Sequence, residues 1–194
     1  MWTIRKIVNL IEESKTSNHI SLKPPLVSAE IETVETEIGI SFPLSLKEFL
    51  GVSNGLDTTF GSVLGIRGSS QSKTTIEFVL HLWAEYNWKR EGWLPVANDG
   101  CGNYYVLVPD KEISKVIVAL IDTMSDPTSL AYAVASDFFP FLAGFVSQEI
   151  DENRAADAQV IWPFDIEWAI QNDPDIFDIT VAGLPWKVAD GTNL

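Results

Sequence analysis

Hydrophobic residues recur at helical spacing near the start of the chain and predict helices there. The first is expected over residues 3–14, and a second follows Ser28 as its N-cap and ends at Gly39. The polar stretch between them, residues 15–26, contains two consecutive prolines and is predicted to be a loop. The chain therefore begins with amphipathic helices rather than with strands.

The next helix is predicted from its end signals. Ser45 and Glu48 have the spacing of a capping box, in which a hydroxyl and a carboxylate bond the free N–H groups of the first turn. Asn54-Gly55 is expected to end this helix, because glycine adopts the left-handed C-cap conformation without strain.

The centre of the chain alternates short apolar runs with turn residues, a pattern typical of hairpin-connected strands. Residues 98–103 (Asn-Asp-Gly-Cys-Gly-Asn) predict a hairpin loop between two such runs. Ser136 is the expected N-cap of a helix over 137–150. The predicted strands are 61–66, 93–97, 104–108, 115–121 and 132–135, and a helix over 75–88 is expected before the hairpin, with Thr74 and Glu77 as its capping box.

The end of the chain differs in composition from the rest. Residues 148–194 hold ten acidic side chains against Arg154 and Lys187, together with three tryptophans. So much tryptophan argues against disorder, and we expect this segment to pack on the preceding residues, with a short helix over 164–171. Helices before and after a mostly antiparallel sheet predict an α+β fold: one domain over 1–150 and an acidic extension over 151–194 packed on it.

Charge narrows the classes of partner. The 194 residues include 27 acidic and 13 basic side chains, a formal charge of −14. Such a balance argues against binding nucleic acid or an anionic membrane and permits a basic protein partner. Cys101 has no second cysteine to pair with, and no signal peptide or bilayer-length apolar run is evident. A cytoplasmic protein, monomeric or homodimeric, is therefore expected.

Catalytic patterns are weak. Gly51 to Gly55 matches the G-x-S-x-G pattern of serine hydrolases, but Ser53 follows a predicted helix, whereas a nucleophile elbow follows a strand. A hydrolase using Ser53 is the remote alternative, and His81 is expected to be an ordinary helix-surface residue. Cys101 has Asp99 rather than a cation beside it, which disfavours a reactive thiolate. We expect no catalytic residue.

Metal-binding patterns are also weak. The 98–103 loop lacks the alternating ligands and the bidentate glutamate of a calcium loop. Glu149, Asp151 and Glu152 form a local acidic run, which is more typical of a solvated helix end than of a metal site. No metal or cofactor is expected.

Two ordered segments carry a resemblance to a known family. The first is 30–55, with its acidic helix, a proline before a second helix and a terminal Asn-Gly; the second is 94–107, the hairpin region. Together they resemble the SUKH superfamily, whose members include the yeast cell-wall assembly regulators of the Smi/Knr type. The resemblance covers about 28–147. The matching positions, which the resemblance marks as structural, are Pro43, Asn54, Gly55, Pro95, Asp99, Gly100, Gly102 and Asn103.

The resemblance implies an α+β fold and a non-enzymatic role. Many bacterial members are immunity proteins that neutralise polymorphic toxins, often nucleases. A cognate toxin domain of basic charge is therefore the expected partner, and a regulatory or scaffold module without a toxin partner is the alternative. The acidic residues Asp57, Asp99, Glu149, Asp151 and Glu152 are the expected toxin contacts.

Overall fold

A computed structural model describes residues 1–13, 20–67, 75–111, 115–150 and 162–189. Short 3₁₀ helices span Ala84–Tyr86 and Pro174–Asp178. The helices and strands are α1 (Ile4–Glu13), β1 (Ser21–Leu22), α2 (Ser28–Ile38), α3 (Leu44–Leu50), β2 (Leu56–Asp57), β3 (Ser62–Val63), α4 (Ile76–Leu82), α5 (Trp88–Glu91), β4 (Leu94–Asn98), β5 (Tyr104–Asp110), β6 (Lys115–Ile121), β7 (Tyr132–Ala135), α6 (Phe138–Ile150), α7 (Ile166–Asn172) and α8 (Pro185–Ala189).

The strands of the described residues form one antiparallel sheet in the order β1 to β7, so each strand pairs with the next one along the chain. The longest pairing joins β5 and β6, from Tyr104 opposite Ile121 to Asp110 opposite Lys115. The β2–β3, β4–β5, β5–β6 and β6–β7 connections are short, whereas α2 and α3 lie between β1 and β2, and α4 and α5 lie between β3 and β4. The predicted α+β fold is confirmed.

Both faces of the sheet are covered. Tyr104 and Tyr105 are neighbours in β5, so their side chains point to opposite faces. The Tyr105 ring packs against Phe141 of α6, with centroids 5.1 Å apart, whereas the Tyr104 ring lies 5.8 Å from that of Trp88. Burial on both sides explains why β5 and β6 are continuous apolar runs rather than alternating ones.

The described part of the acidic extension packs on the sheet and on α6. Trp162 is buried against Gly144 of α6, where an added Cβ would overlap the indole ring. Asp173 is buried and accepts a hydrogen bond from the Ser136 N–H at 2.8 Å. Ser136 is therefore bonded to the extension. At the start of α6, it is the carboxylate of Asp137 that accepts the N–H of Phe138. The predicted helix over 164–171 is present as α7.

The observed first residues of α2 and α3 correct two predicted N-caps. Helix α2 has Val27 as its N-cap, and Glu30 accepts the Val27 N–H at 3.0 Å, so Ser28 is the first helical residue. Helix α3 begins one residue before Ser45, whose hydroxyl instead donates to Asp137 at 3.0 Å. The serine was wrongly assigned as a cap because its partner lies 92 positions along the chain.

The helix predicted over 75–88 is broken in the structure. Thr75 caps α4 by accepting the Phe78 N–H, and Thr74 lies outside the described residues. The chain then turns through the 3₁₀ helix and a left-handed Asn87. This break allows the rings of Trp83 and Trp88 to stack at 5.6 Å on the sheet, a packing gain that overrides helical continuity.

Candidate functional site

Three turns of the meander lie at one end of the sheet. Because neighbouring strands are antiparallel, successive connections alternate between the two ends of the sheet. The β2–β3, β4–β5 and β6–β7 connections therefore lie at the same end. Gly61 packs on the carbonyl of Asn98, and the Thr123 hydroxyl donates to the Gly102 carbonyl at 2.8 Å, so neighbouring turns touch. We call this surface the turn end; it comprises residues 57–61, 98–103 and 122–131.

The turn end is acidic. It holds Asp57, Asp99, Asp122 and Asp126 and contains no lysine or arginine. Within the described ranges, the ion pair at the turn end joins Asp57 to Lys23 at 3.2 Å. At the opposite end of the sheet, acidic and basic side chains are mixed: Lys111 follows Asp110 of β5, and Lys115 at the start of β6 pairs with Asp175 at 2.7 Å. The turn end differs from that end in having no basic side chain.

Burial, nearby carboxylates and hydrogen bonds shift the pKa values of groups at and beside the turn end. Burial, together with the nearby carboxylates of Asp99 and Asp122, raises the pKa of Tyr132 to about 12. Hydrogen bonds from Ser125 lower the pKa of Asp122, and those from Thr128 lower the pKa of Asp126. Both carboxylates therefore stay ionised at neutral pH.

Asp99 holds the hairpin loop in shape. Its carboxylate accepts the N–H groups of Cys101 and Asn103, at 2.8 and 3.0 Å, and the Asn103 side-chain amide at 2.7 Å. Gly100 and Gly102 have φ of 72° and 109°, a left-handed region that favours glycine. The Asp-Gly-x-Gly-Asn pattern is thus an architectural motif, and Asp99 is partly exposed as well.

Other motif residues are structural too. The Asn54 side chain bonds both backbone groups of Ile66, donating to its carbonyl at 2.6 Å and accepting its N–H at 2.7 Å. Gly55 has φ of 98° and lies tightly against β3. Pro95 lies at an irregularity in the β4–β5 pairing, a position where its missing N–H is tolerated. Pro43 directly precedes α3.

The predicted acidic contacts divide into three groups. Asp57 and Asp99 lie together at the turn end, as described above. Glu149 is fully buried, and its carboxylate accepts the Thr59 N–H at 3.0 Å and the Thr59 hydroxyl at 2.5 Å. The expectation of a surface contact at Glu149 is corrected, because this side chain anchors the β2–β3 turn to α6. Asp151 and Glu152 lie outside the described residues.

Ser53 has a structural environment. Its side chain is fully buried, its hydroxyl lies within donating distance of the Gly55 carbonyl at 2.6 Å, and it accepts the Lys23 N–H at 2.9 Å. His81 is exposed on α4, and His19 lies outside the described residues. Across the described ranges, no group of three or more histidine, cysteine, aspartate or glutamate side chains is arranged to hold a metal ion.

Sequence reasoning missed several members of the turn end. Asp122 and Asp126 belong to it, as do two apolar side chains, Phe60 and Met124, which are 43% and 87% exposed. The order of the strands is the observation that could have found them. When antiparallel strands pair in chain order, the loops over 58–61 and 122–131 lie at the same end of the sheet as the predicted 98–103 loop.

The geometry defines an α+β domain built on an antiparallel meander with an acidic turn-lined end. The model of the SMI1 / KNR4 family (SUKH-1) matches residues 25–144, which include most of the sheet and the start of α6. The chain belongs to this family, as its sequence resemblance implied. A comparison with curated proteins gives no match. None of the described helices combines the length and apolar character that crossing a bilayer requires.

Proposed function

We propose that this chain is a non-enzymatic immunity protein that binds a basic cognate toxin domain in the cytoplasm and blocks its active site. Membership of the SUKH family supports this role, because many bacterial members resemble one another in neutralising polymorphic toxins. The environment of Ser53 supports a non-enzymatic role, since its buried hydroxyl is engaged by backbone groups.

The turn end is the observation that carries the proposal. It presents four carboxylates without a lysine or arginine among its residues, and it exposes Phe60 and Met124 beside them. Acidic surface speeds encounter with a basic partner and selects against acidic ones. Exposed aromatic and methionine side chains are enriched in protein interfaces and bury apolar area on contact. A nuclease, whose active site attracts phosphate, is a partner of the required charge.

The experiment measures binding to the toxin domain encoded beside this protein, by calorimetry and stopped-flow association at low and high salt. The test variant combines Asp57→Asn, Asp122→Asn and Asp126→Asn. Asparagine keeps one acceptor oxygen for the turn hydrogen bonds, so the change removes charge rather than structure. We expect the dissociation constant to rise roughly tenfold, mostly through slower association, and its salt dependence to flatten.

A matched control removes the same charge elsewhere. Glu32, Glu48 and Glu167 are exposed, and Glu→Gln at all three changes the net charge by the same amount. We expect nearly unchanged affinity for this control. If both triple variants weakened toxin binding equally, net charge alone would explain the effect, and the turn end would not be the contact surface. No binding by the unaltered protein would contradict the immunity role and favour a regulatory module.

A further inference from the structure

The two edges of the sheet are protected in different ways. Strand β1 has only two residues, Ser21 and Leu22, and Lys23 follows it directly. Short strands and edge lysines discourage pairing with another chain. Strand β7, Tyr132–Ala135, has neither a charged residue nor a proline, and three of its four residues are buried. An edge of this composition is a ready template for pairing unless something covers it.

The acidic extension covers this edge. The Ala133 N–H donates to the Gly183 carbonyl at 2.7 Å, a main-chain bond of the type an additional strand would make. The Ser136 N–H, just beyond β7, donates to the Asp173 carboxylate. Ile179, which lies between Asp173 and Gly183 in the chain, is buried, and so is Leu184, which directly follows Gly183. We call residues 173–184 the edge strap.

The edge strap lies outside the part of the chain that matches the family model. The family match ends at residue 144, after β7 and within α6. The 3₁₀ helix of the strap and α8 behind it both pack against β7. The family-matched region alone therefore ends in an edge that this chain covers with its own later residues.

We propose that the edge strap prevents self-association, and that displacing it lets β7 pair with β7 of a second copy. The pairing would be antiparallel about a twofold axis, because a short strand meeting its own copy in that way satisfies the same backbone groups on both sides. A second copy is the fitting occupant, since the uncharged Tyr-Ala-Val-Ala strand offers no repulsion to itself.

Asp173 is the anchor to test. It is 2% exposed and bonds both the N–H and the hydroxyl of Ser136. Asp173→Ala removes both acceptors and leaves a buried N–H unpaired. Asp175→Ala is the matched control, because it removes a carboxylate from the same segment whose only described ion pair, with Lys115, is exposed.

Hydrogen exchange and light scattering on the full chain provide the test. In Asp173→Ala, we expect the Ala133 and Ser136 amides to exchange roughly tenfold faster than in the unaltered protein, while the amides of β5 and β6 stay protected. The variant is expected to form a dimer as concentration rises, and the dimer should protect the Ala133 amide again. Asp175→Ala is expected to remain monomeric with unchanged exchange at both sites.

A second, milder variant tests the same contact in case Asp173→Ala does not fold. Ser136→Ala removes only the hydroxyl contact to Asp173 and is expected to show the same changes to a smaller extent. Unchanged exchange at Ala133 in both variants would overturn the strap as the edge cover. Faster exchange in a protein that stays monomeric at every concentration would overturn the second copy as the occupant, and so would a dimer with Ala133 left unprotected. All readouts use this protein alone, so they are independent of toxin binding.

Discussion

At the scale of single residues, buried polar side chains hold the loops in place. Glu149 is the clearest case, because it joins the end of α6 to a turn 90 positions earlier in the chain. The same pattern holds at Asn54, which replaces a missing backbone pairing for Ile66. A buried polar group costs free energy when its hydrogen-bond partner is lost, so the fold itself requires these residues.

Glu149→Ala tests this role. The substitution leaves the N–H and the hydroxyl of Thr59 without their acceptor, and we expect the free energy of unfolding to fall by about 2 kcal/mol. Urea unfolding measures the loss. Glu149→Gln keeps a carbonyl acceptor and is expected to lose about half as much. An alanine variant as stable as the unaltered protein would show that water satisfies Thr59 instead.

At the scale of elements, helix α6 is the platform on which the extension docks. Its Gly144 lets the Trp162 indole approach the helix backbone, and that ring also lies 5.6 Å from Phe141. Contact this close needs glycine, although glycine weakens a helix interior by about 1 kcal/mol relative to alanine. The packing of a large buried ring therefore outweighs helix propensity here.

Gly144→Ala is expected to destabilise the protein by about 2 kcal/mol, because the new Cβ forces the buried indole to move. Thermal unfolding measures the shift. Gly51→Ala is the matched control: Gly51 has φ of −69°, and an added Cβ there meets only ordinary contacts at 3.5 Å. We expect that control to be neutral or slightly stabilising, and equal effects at the two glycines would contradict the docking role of Gly144.

Elements with a long apolar pattern were predictable, and those fixed by distant partners were not. The predicted strands over 115–121 and 132–135 coincide with β6 and β7, because their apolar runs and flanking turns are local signals. Strands β1 and β2 have two residues each, too few to show a period of two. Ser45 and Glu149 were misassigned for a related reason: their partners lie about 90 positions away.

At the scale of the whole molecule, the positions of the charged side chains matter as well as the net charge. The turn end holds four carboxylates and no basic side chain, whereas acidic and basic side chains are mixed at the other end, where Lys115 pairs with Asp175. Composition predicted a basic partner, and the strand order brings the acidic turns to one end of the sheet, which is the contact surface we propose. Burial of two tyrosines near these carboxylates links the stability of the fold to alkaline pH.

Tyr132 and Tyr105 test that link. Burial raises the pKa of both phenols above the usual value of 10.0, to about 12 for Tyr132, and Asp99 adds to the rise in each. The folded chain therefore holds these protons more tightly than the unfolded chain does. Their contribution to stability is complete below pH 10 and is lost as the pH rises toward and beyond 12.

Tyr132→Phe removes one of these two phenols and keeps the ring that packs 5.6 Å from Phe164. Urea unfolding at pH 8 and at pH 11 measures the alkaline loss of stability in each protein. Because Tyr132 is partly exposed, solvent screening reduces its share, and we expect the variant to lose about 1 kcal/mol less than the unaltered protein between these two pH values. The same loss in both proteins would show that Tyr132 titrates alike in the folded and unfolded states, and that neither burial nor the nearby carboxylates raise its pKa.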